Sequence, residues 1–114
     1  MTCCCTGEKK LINQNYIGPG IWFTLHSEAK NAVTVIQQKR YCKMVRRLQE
    51  AFPCSICREH FRKYLLKNPP EGYISEHENS MFTWAYDFHS SVNRRLDKED
   101  LTWDDAWKLY FHAK

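Results

Sequence analysis

The chain has 114 residues, a length that suits a single domain, and 43% of them are apolar, with four Trp, six Tyr and six Phe to build a modest core. The formal charge of +4 is spread out. Its densest basic run, Lys39, Arg40, Lys43, Arg46 and Arg47, alternates with apolar residues like the wet side of a helix, which argues against a nucleic-acid partner. No stretch is apolar enough to span a bilayer and no apolar h-region follows the N-terminus, so the expected setting is cytoplasmic, with no membrane anchor.

Residues 1–16 lack periodicity and read as a flexible tail, which leaves 17–114 as the folded domain. Gly18-Pro19-Gly20 is predicted to form a turn between them. Trp22, Leu25, His26 and Ala29 share one face of a short first helix, and Asn31 is the predicted N-cap of the second. The stripe Val33, Ile36, Tyr41, Met44, Val45, Leu48 and Phe52 defines that second helix, which Pro53 stops. A third helix starts at Cys54 and Cys57, carries Phe61, Tyr64 and Leu65, and ends at Asn68-Pro69-Pro70, with Glu71-Gly72-Tyr73 as loop. Asn79 or Ser80 caps a fourth helix with Phe82, Ala85, Phe88, His89 and Val92 inward. Thr102-Trp103-Asp104-Asp105 opens a fifth, whose apolar side is Trp103, Ala106, Trp107 and Tyr110. With no alternating strand pattern, the fold class is all-α: a four-helix bundle with a short fifth helix.

Six cysteines (Cys3, Cys4, Cys5, Cys42, Cys54 and Cys57) do not make a secreted framework, because three are bunched at the terminus and only one spacing suits a bridge. Cys54-Ser55-Ile56-Cys57 closes a tiny loop, and thiols at a helix N-terminus are acidified by its exposed N–H groups. The pair therefore reads as redox chemistry. The same spacing is half of a zinc site, with His60, Cys42 or the terminal cysteines as further ligands, but no second ligand pair has metal-binding spacing, so no metal is expected. A thioredoxin-like fold is excluded by the amphipathic helix that precedes the pair.

Electrons taken up by a dithiol in a helical bundle need a sink, and a bound flat cofactor supplies one if aromatic walls and polar groups are at hand. Trp22 and His26 are one turn apart on one helix, His89 and Asn93 on another, and Lys98 follows as a point charge for a phosphate. The competing class is a helical interaction module with a structural or zinc-binding Cys-x-x-Cys.

With these residues laid out, the chain resembles the Erv/ALR group of flavin-linked sulfhydryl oxidases from about Ile17 to Tyr110. The marks are Gly18-Pro19-Gly20-Ile21-Trp22-Phe23-Thr24-Leu25-His26, then Phe52-Pro53-Cys54-Ser55-Ile56-Cys57 with Phe61, then Asn68-Pro69-Pro70. Trp84 and His89-Ser90-Ser91-Val92-Asn93-Arg94-Arg95-Leu96-Asp97-Lys98 complete them. The resemblance implies FAD held non-covalently in the mouth of the bundle, usually in a homodimer. It implies thiol-containing protein substrates, and dioxygen as the electron acceptor, giving hydrogen peroxide. Cys57 is implied to lie against the isoalloxazine and Cys54 nearer solvent to meet the substrate. Gly18, Trp22, His26, His89, Asn93, Arg94, Leu96, Lys98 and Tyr110 are the implied cofactor-binding residues.

Two departures stand out. Tyr86 and Trp103 occupy the positions of a structural disulfide common in the family, which predicts an aromatic contact in its place and a looser fifth helix. Ser90 stands where Asn usually sits beside the histidine. A compact form of this kind resembles oxidases of large cytoplasmic DNA viruses, whose setting is the host cytoplasm. Cys3, Cys4 and Cys5 are either a shuttle dithiol, incidental thiols or an acylation site, and Cys42 a plain buried thiol.

Overall fold

A computed structural model describes residues 14–111, with side chains described from 20 to 110. Among these residues the secondary structure is helical throughout: α1 (Gln14–Lys30), α2 (Val35–Ala51), α3 (Ser55–Lys67), a 3₁₀ turn (Pro70–Tyr73), α4 (Ser80–Arg95) and α5 (Trp103–Phe111). The tail cysteines Cys3, Cys4 and Cys5 lie outside the described residues.

The first helix corrects the predicted boundary. It starts at Gln14 and runs through Gly18-Pro19-Gly20, where a turn was expected. Pro19 gives no N–H back to the preceding turn. The helix is carried past it by the Trp22, Leu25, His26 and Ala29 face, all buried, which packs mainly on α4.

The second helix starts later than predicted. Asn31 still belongs to the turn that ends α1, its N–H bonding the Glu28 carbonyl. Thr34 is the N-cap: its side chain accepts the Gln37 N–H at 3.1 Å, and Gln37 Oε1 accepts the Thr34 N–H at 3.0 Å, closing a capping box. This start turns Val33 and Ile36 outward, Ile36 to 63% exposure, so the upper end of the expected stripe is not core. The fully buried side chain there is Gln38. Its amide donates to the carbonyls of Val33 and Ser75 at 2.9 and 2.8 Å, and its oxygen accepts the Ser75 N–H and the Ser80 hydroxyl. Because every partner is supplied, a buried amide here ties α2 to the start of α4 without a desolvation penalty.

Trp84 is the centre of the core. It is wholly buried, its Nε1 donates to the Asn68 carbonyl at 2.9 Å, and Tyr41, Tyr64 and Phe88 pack their rings around it. That bond explains why the chain turns at Asn68-Pro69: the last turn of α3 is pinned to α4. Glu71-Gly72-Tyr73, expected as loop, tightens into the 3₁₀ turn, held to α2 by a bidentate Arg46–Glu71 pair at 2.8 and 2.7 Å. More of α4 is buried than its predicted face, because Met81, Trp84, Ser90 and Asn93 are also enclosed.

The α4–α5 connection replaces the missing disulfide differently from expectation. Tyr86 reaches the segment with its hydroxyl, donating to the Leu101 carbonyl at 2.7 Å. Trp103 instead packs edge-on against Phe82, one turn before Tyr86 on α4, and stacks on Trp107. Ser90 takes part as well: its hydroxyl donates to Asp100 and accepts from Arg94 at 2.7 Å.

Candidate functional site

The site begins with the joint between α2 and α3. Pro53 ends the helical run and leaves Cys54 in extended conformation as the N-cap of α3, its sulfur accepting the Cys57 N–H at 3.4 Å. A sulfur at this position faces the positive end of the helix, which favours its thiolate. Arg58 braces the joint by donating to the Phe52 carbonyl at 2.6 Å, and Gln49 donates to the Arg58 carbonyl at 3.1 Å. Cys54 and Cys57 are both disulfide-bonded, whereas Cys42 is a free thiol. Burial, with Glu71 next in weight, pushes the Cys42 thiol up to about 11, which makes it inert.

Cys57 opens onto a narrow cleft with a cavity volume of about 90 Å³. Trp22 and Ile21 of α1 form one wall and Phe61 and Tyr64 of α3 a second. Phe88, Val92 and Leu96 on or just past α4 close the third, and Ser91, His60 and Arg95 supply polar edges. The cysteine therefore borders a narrow, mostly apolar cleft walled by three helices. Cys54 departs from the expectation that it lies nearer solvent: it is only 6% exposed, while Cys57 is partly exposed and borders the cleft.

Beside the cleft, a set of rings from three helices locks together. Trp22 stacks on His89 with centroids 3.9 Å apart, and His26 stacks on Tyr110 at 4.0 Å. His26 Nε2 and His89 Nδ1 share a hydrogen bond of 3.1 Å, joining the two stacks. His26 Nδ1 is buried without a partner. A bare acceptor is tolerated in a core better than an orphaned N–H, so the neutral ring carries its proton on Nε2 and donates to His89. Burial lowers His26 to about 3, helped by His89, and burial likewise lowers His89 to about 4, with Asp100 opposing. Both rings are thus neutral at working pH.

The expected cofactor residues therefore divide into groups. Trp22 and Leu96 face the cleft with Cys57. His26, His89 and Tyr110 join Trp22 in the stacked rings behind it. Asn93 is buried, and its carbonyl accepts the Lys98 N–H at 2.7 Å, while the Lys98 side chain is exposed. Arg94 points into the Ser90–Asp100 contact, 3.6 Å from the carboxylate. Gly18 lies within α1. The walls missed as site residues, Phe61, Tyr64 and Phe88, read in sequence as ordinary core. Phe61 and Tyr64 did carry one signal: they follow Cys57 by four and seven residues, on the helix face that carries it. Among the described residues no three His, Cys, Asp or Glu side chains gather in a metal-holding group.

A model of the Erv1 / Alr family matches residues 19–112. An FAD-linked sulfhydryl oxidase of African swine fever virus (isolate Pig/Kenya/KEN-50/1950) is 30% identical over 96 residues, covering 82% of this chain and 78% of the relative. The mitochondrial FAD-linked sulfhydryl oxidase ERV1 of Saccharomyces cerevisiae is 30% identical over 98 residues, covering 81% of this chain and 50% of that one. Among solved structures, the yeast Erv1 core superposes with a TM-score of 0.76 at 22% identity, over 94% of this chain and 92% of that one. This all-helical chain belongs to the Erv1 / Alr family.

Proposed function

We propose that the chain is an FAD-dependent thiol oxidase that forms disulfides in protein substrates through Cys54 and Cys57. The observation that carries this reading is the aromatic cleft against Cys57, an oxidised cysteine in the first turn of a helix. Family membership and the names of the viral and yeast relatives support it.

The residues present fit the cofactor. A flat ring system suits the apolar cleft, and the unpartnered acceptor on His26 suits a buried polar donor. Trp22 and Leu96 would wall the ring, while Gly18, His26, His89, Asn93, Arg94, Lys98 and Tyr110 would hold the nucleotide part. When bound, FAD would supply the two-electron acceptor for the thiol pair, with dioxygen as the final acceptor and hydrogen peroxide as the product. The protein's own part is thiol–disulfide exchange. A substrate thiolate attacks Cys54, Cys57 leaves as thiolate, and a second substrate thiolate releases the product disulfide and leaves both cysteines reduced. Helix α3 favours both leaving groups through its N-terminal N–H groups. Because Cys54 is buried, the exposed Pro53 segment must yield for the attack to occur.

The same reading takes residues 17–114 as the oxidase domain, in a cytoplasmic setting. It includes a homodimer, supported by the exposed apolar side chains Phe23, Val33 and Ile36 on and near α1 and α2. Among the described residues no helix is long and apolar enough to cross a membrane.

The deciding experiment measures oxygen consumption with a dithiol for wild type, Cys54→Ala and Cys57→Ala, alongside the visible spectrum of each purified protein. Wild type should be yellow and active, and both variants should fall to background. A colourless wild type that rejects added FAD, or full activity in either variant, sinks the reading.

A further inference from the structure

The cleft beside Cys57 contains one group that the exchange chemistry leaves unused. Its walls are mostly apolar, and the titratable side chains that reach it are Cys57, His60, Tyr64 and Arg95. Burial, reinforced by Asp87, pushes Tyr64 up to about 12, and a guanidinium keeps its proton at any working pH. His60 is left as the side chain, besides the thiol, that exchanges a proton near neutrality. It stands three residues after Cys57 on α3, a spacing that puts both on one helix face, and both line the same cleft. Burial lowers the imidazole first, Arg95 from α4 and Lys63 from α3 lower it further, and Glu59 opposes them. While the disulfide is intact, His60 is therefore a neutral acceptor.

We propose that His60 is the proton store for Cys57: it takes the proton of the incoming substrate thiol and, as imidazolium, stabilises the thiolate that leaves at Cys57. The proposal rests on the reading of Cys54 and Cys57 as the redox pair. In the first step a substrate thiol, the intact disulfide and neutral His60 become a substrate–Cys54 disulfide, a Cys57 thiolate and a His60 imidazolium. One S–S bond forms, one breaks, and the net charge is unchanged. In the second step another substrate thiol displaces Cys54, which leaves with that proton as a thiol. When the pair closes again, its two electrons pass to the bound flavin acceptor, accompanied by the Cys54 and His60 protons, and the imidazole returns to neutral. Opposite charges one helical turn apart raise the pKa of one partner and lower that of the other.

The test is the pH profile of iodoacetamide labelling at Cys57, read by mass spectrometry, in the cofactor-loaded Cys54→Ser protein with and without His60→Gln. The second substitution should slow labelling at pH 7 by about tenfold and move the midpoint of the profile up by about one pH unit. Superimposable profiles overturn the proposal. By linkage the coupling must also show from the imidazole side, with the His60 ring protons titrating at higher pH in reduced than in oxidised wild type. That NMR measurement needs no substitution and decides the matter if His60→Gln does not fold; equal midpoints overturn it. Failure of the underlying redox-pair reading has a different signature, namely oxygen consumption that survives Cys57→Ala.

Discussion

The two sides of α4 are built on different physics. Toward α1 and α3, the cleft wall is held by buried rings: Phe88 packs on Trp22, Phe61, Tyr64 and Trp84 with centroids 5.1, 4.8, 4.7 and 5.4 Å away. Toward the connection between α4 and α5, the contacts are polar and partly exposed: Tyr86 to Leu101, Ser90 to Asp100, and Arg94 to both Ser90 and Asp100. The apolar side fixes where Cys57 looks, because close-packed rings cannot shift independently. The polar bonds hold the connection that leads into α5 and each contribute little. Helix α5 itself is held by Trp103 and Trp107 against Phe82 and by Tyr110 against His26. The sulfur pair thus sits on the ring-packed side of α4, whereas the chain that delivers Tyr110 to the ring stack is tied down by polar contacts.

The largest effect expected comes from breaking the ring-packed side. Phe88→Ala should cost about 3–5 kcal/mol in urea unfolding and abolish retention of flavin colour, because it leaves a cavity among four rings. Next is pH, which acts through the stacked histidines. Their folded-state values lie below the ordinary 6.5, at about 3 for His26 and about 4 for His89, so the unfolded chain binds the extra protons. Stability should be flat above about pH 6.5 and fall as pH drops toward 4, by roughly 2 kcal/mol per histidine at pH 5. A flat unfolding midpoint between pH 7 and 5 would contradict burial of these rings as neutral species.

Smaller effects should be confined to α5 and the connection that leads into it. Tyr110→Ala removes the stack on His26 and should cost about 1–2 kcal/mol, with faster hydrogen exchange in α5 and little change in α3. Equal acceleration in both helices would erase the distinction between the two sides. Tyr86→Phe, which deletes only the bond to Leu101, should lower stability by about 1 kcal/mol in thermal unfolding and leave the turnover of a small dithiol near wild type.

Most of this architecture was legible in the sequence because helices announce themselves by period and by their breakers. Pro53 and Asn68-Pro69 mark ends that the structure keeps, and Thr102 caps α5 through the Asp105 N–H at 3.1 Å, as its sequence pattern suggested. Misreadings came where tertiary contacts overrule local signals. A Gly-Pro-Gly run reads as a turn, but packing of the Trp22 face continues α1 through it. Gln38 is absent from the expected apolar stripe, and its bonds to Ser75 and Ser80, about 40 positions away, together with that to Val33, allow its burial. For the site, Cys54, Cys57, Trp22, Leu96 and Phe61 were visible as motif residues, whereas Tyr64 and Phe88 were indistinguishable from core. The coupling of Arg94 to Asp100 was hidden because it depends on where the chain turns after α4. Cys54's burial was equally illegible, because it depends on how the α2–α3 joint packs into the core.

Cys42 has a practical consequence of its own. It is 1% exposed, with its sulfur 4.0 Å from that of Met81, so an alkylating reagent meets it only when α2 and α4 part. Its slow modification, resolved by mass from the other thiols, gives the molecule a built-in clock for global opening that needs no dye, tag or engineered label.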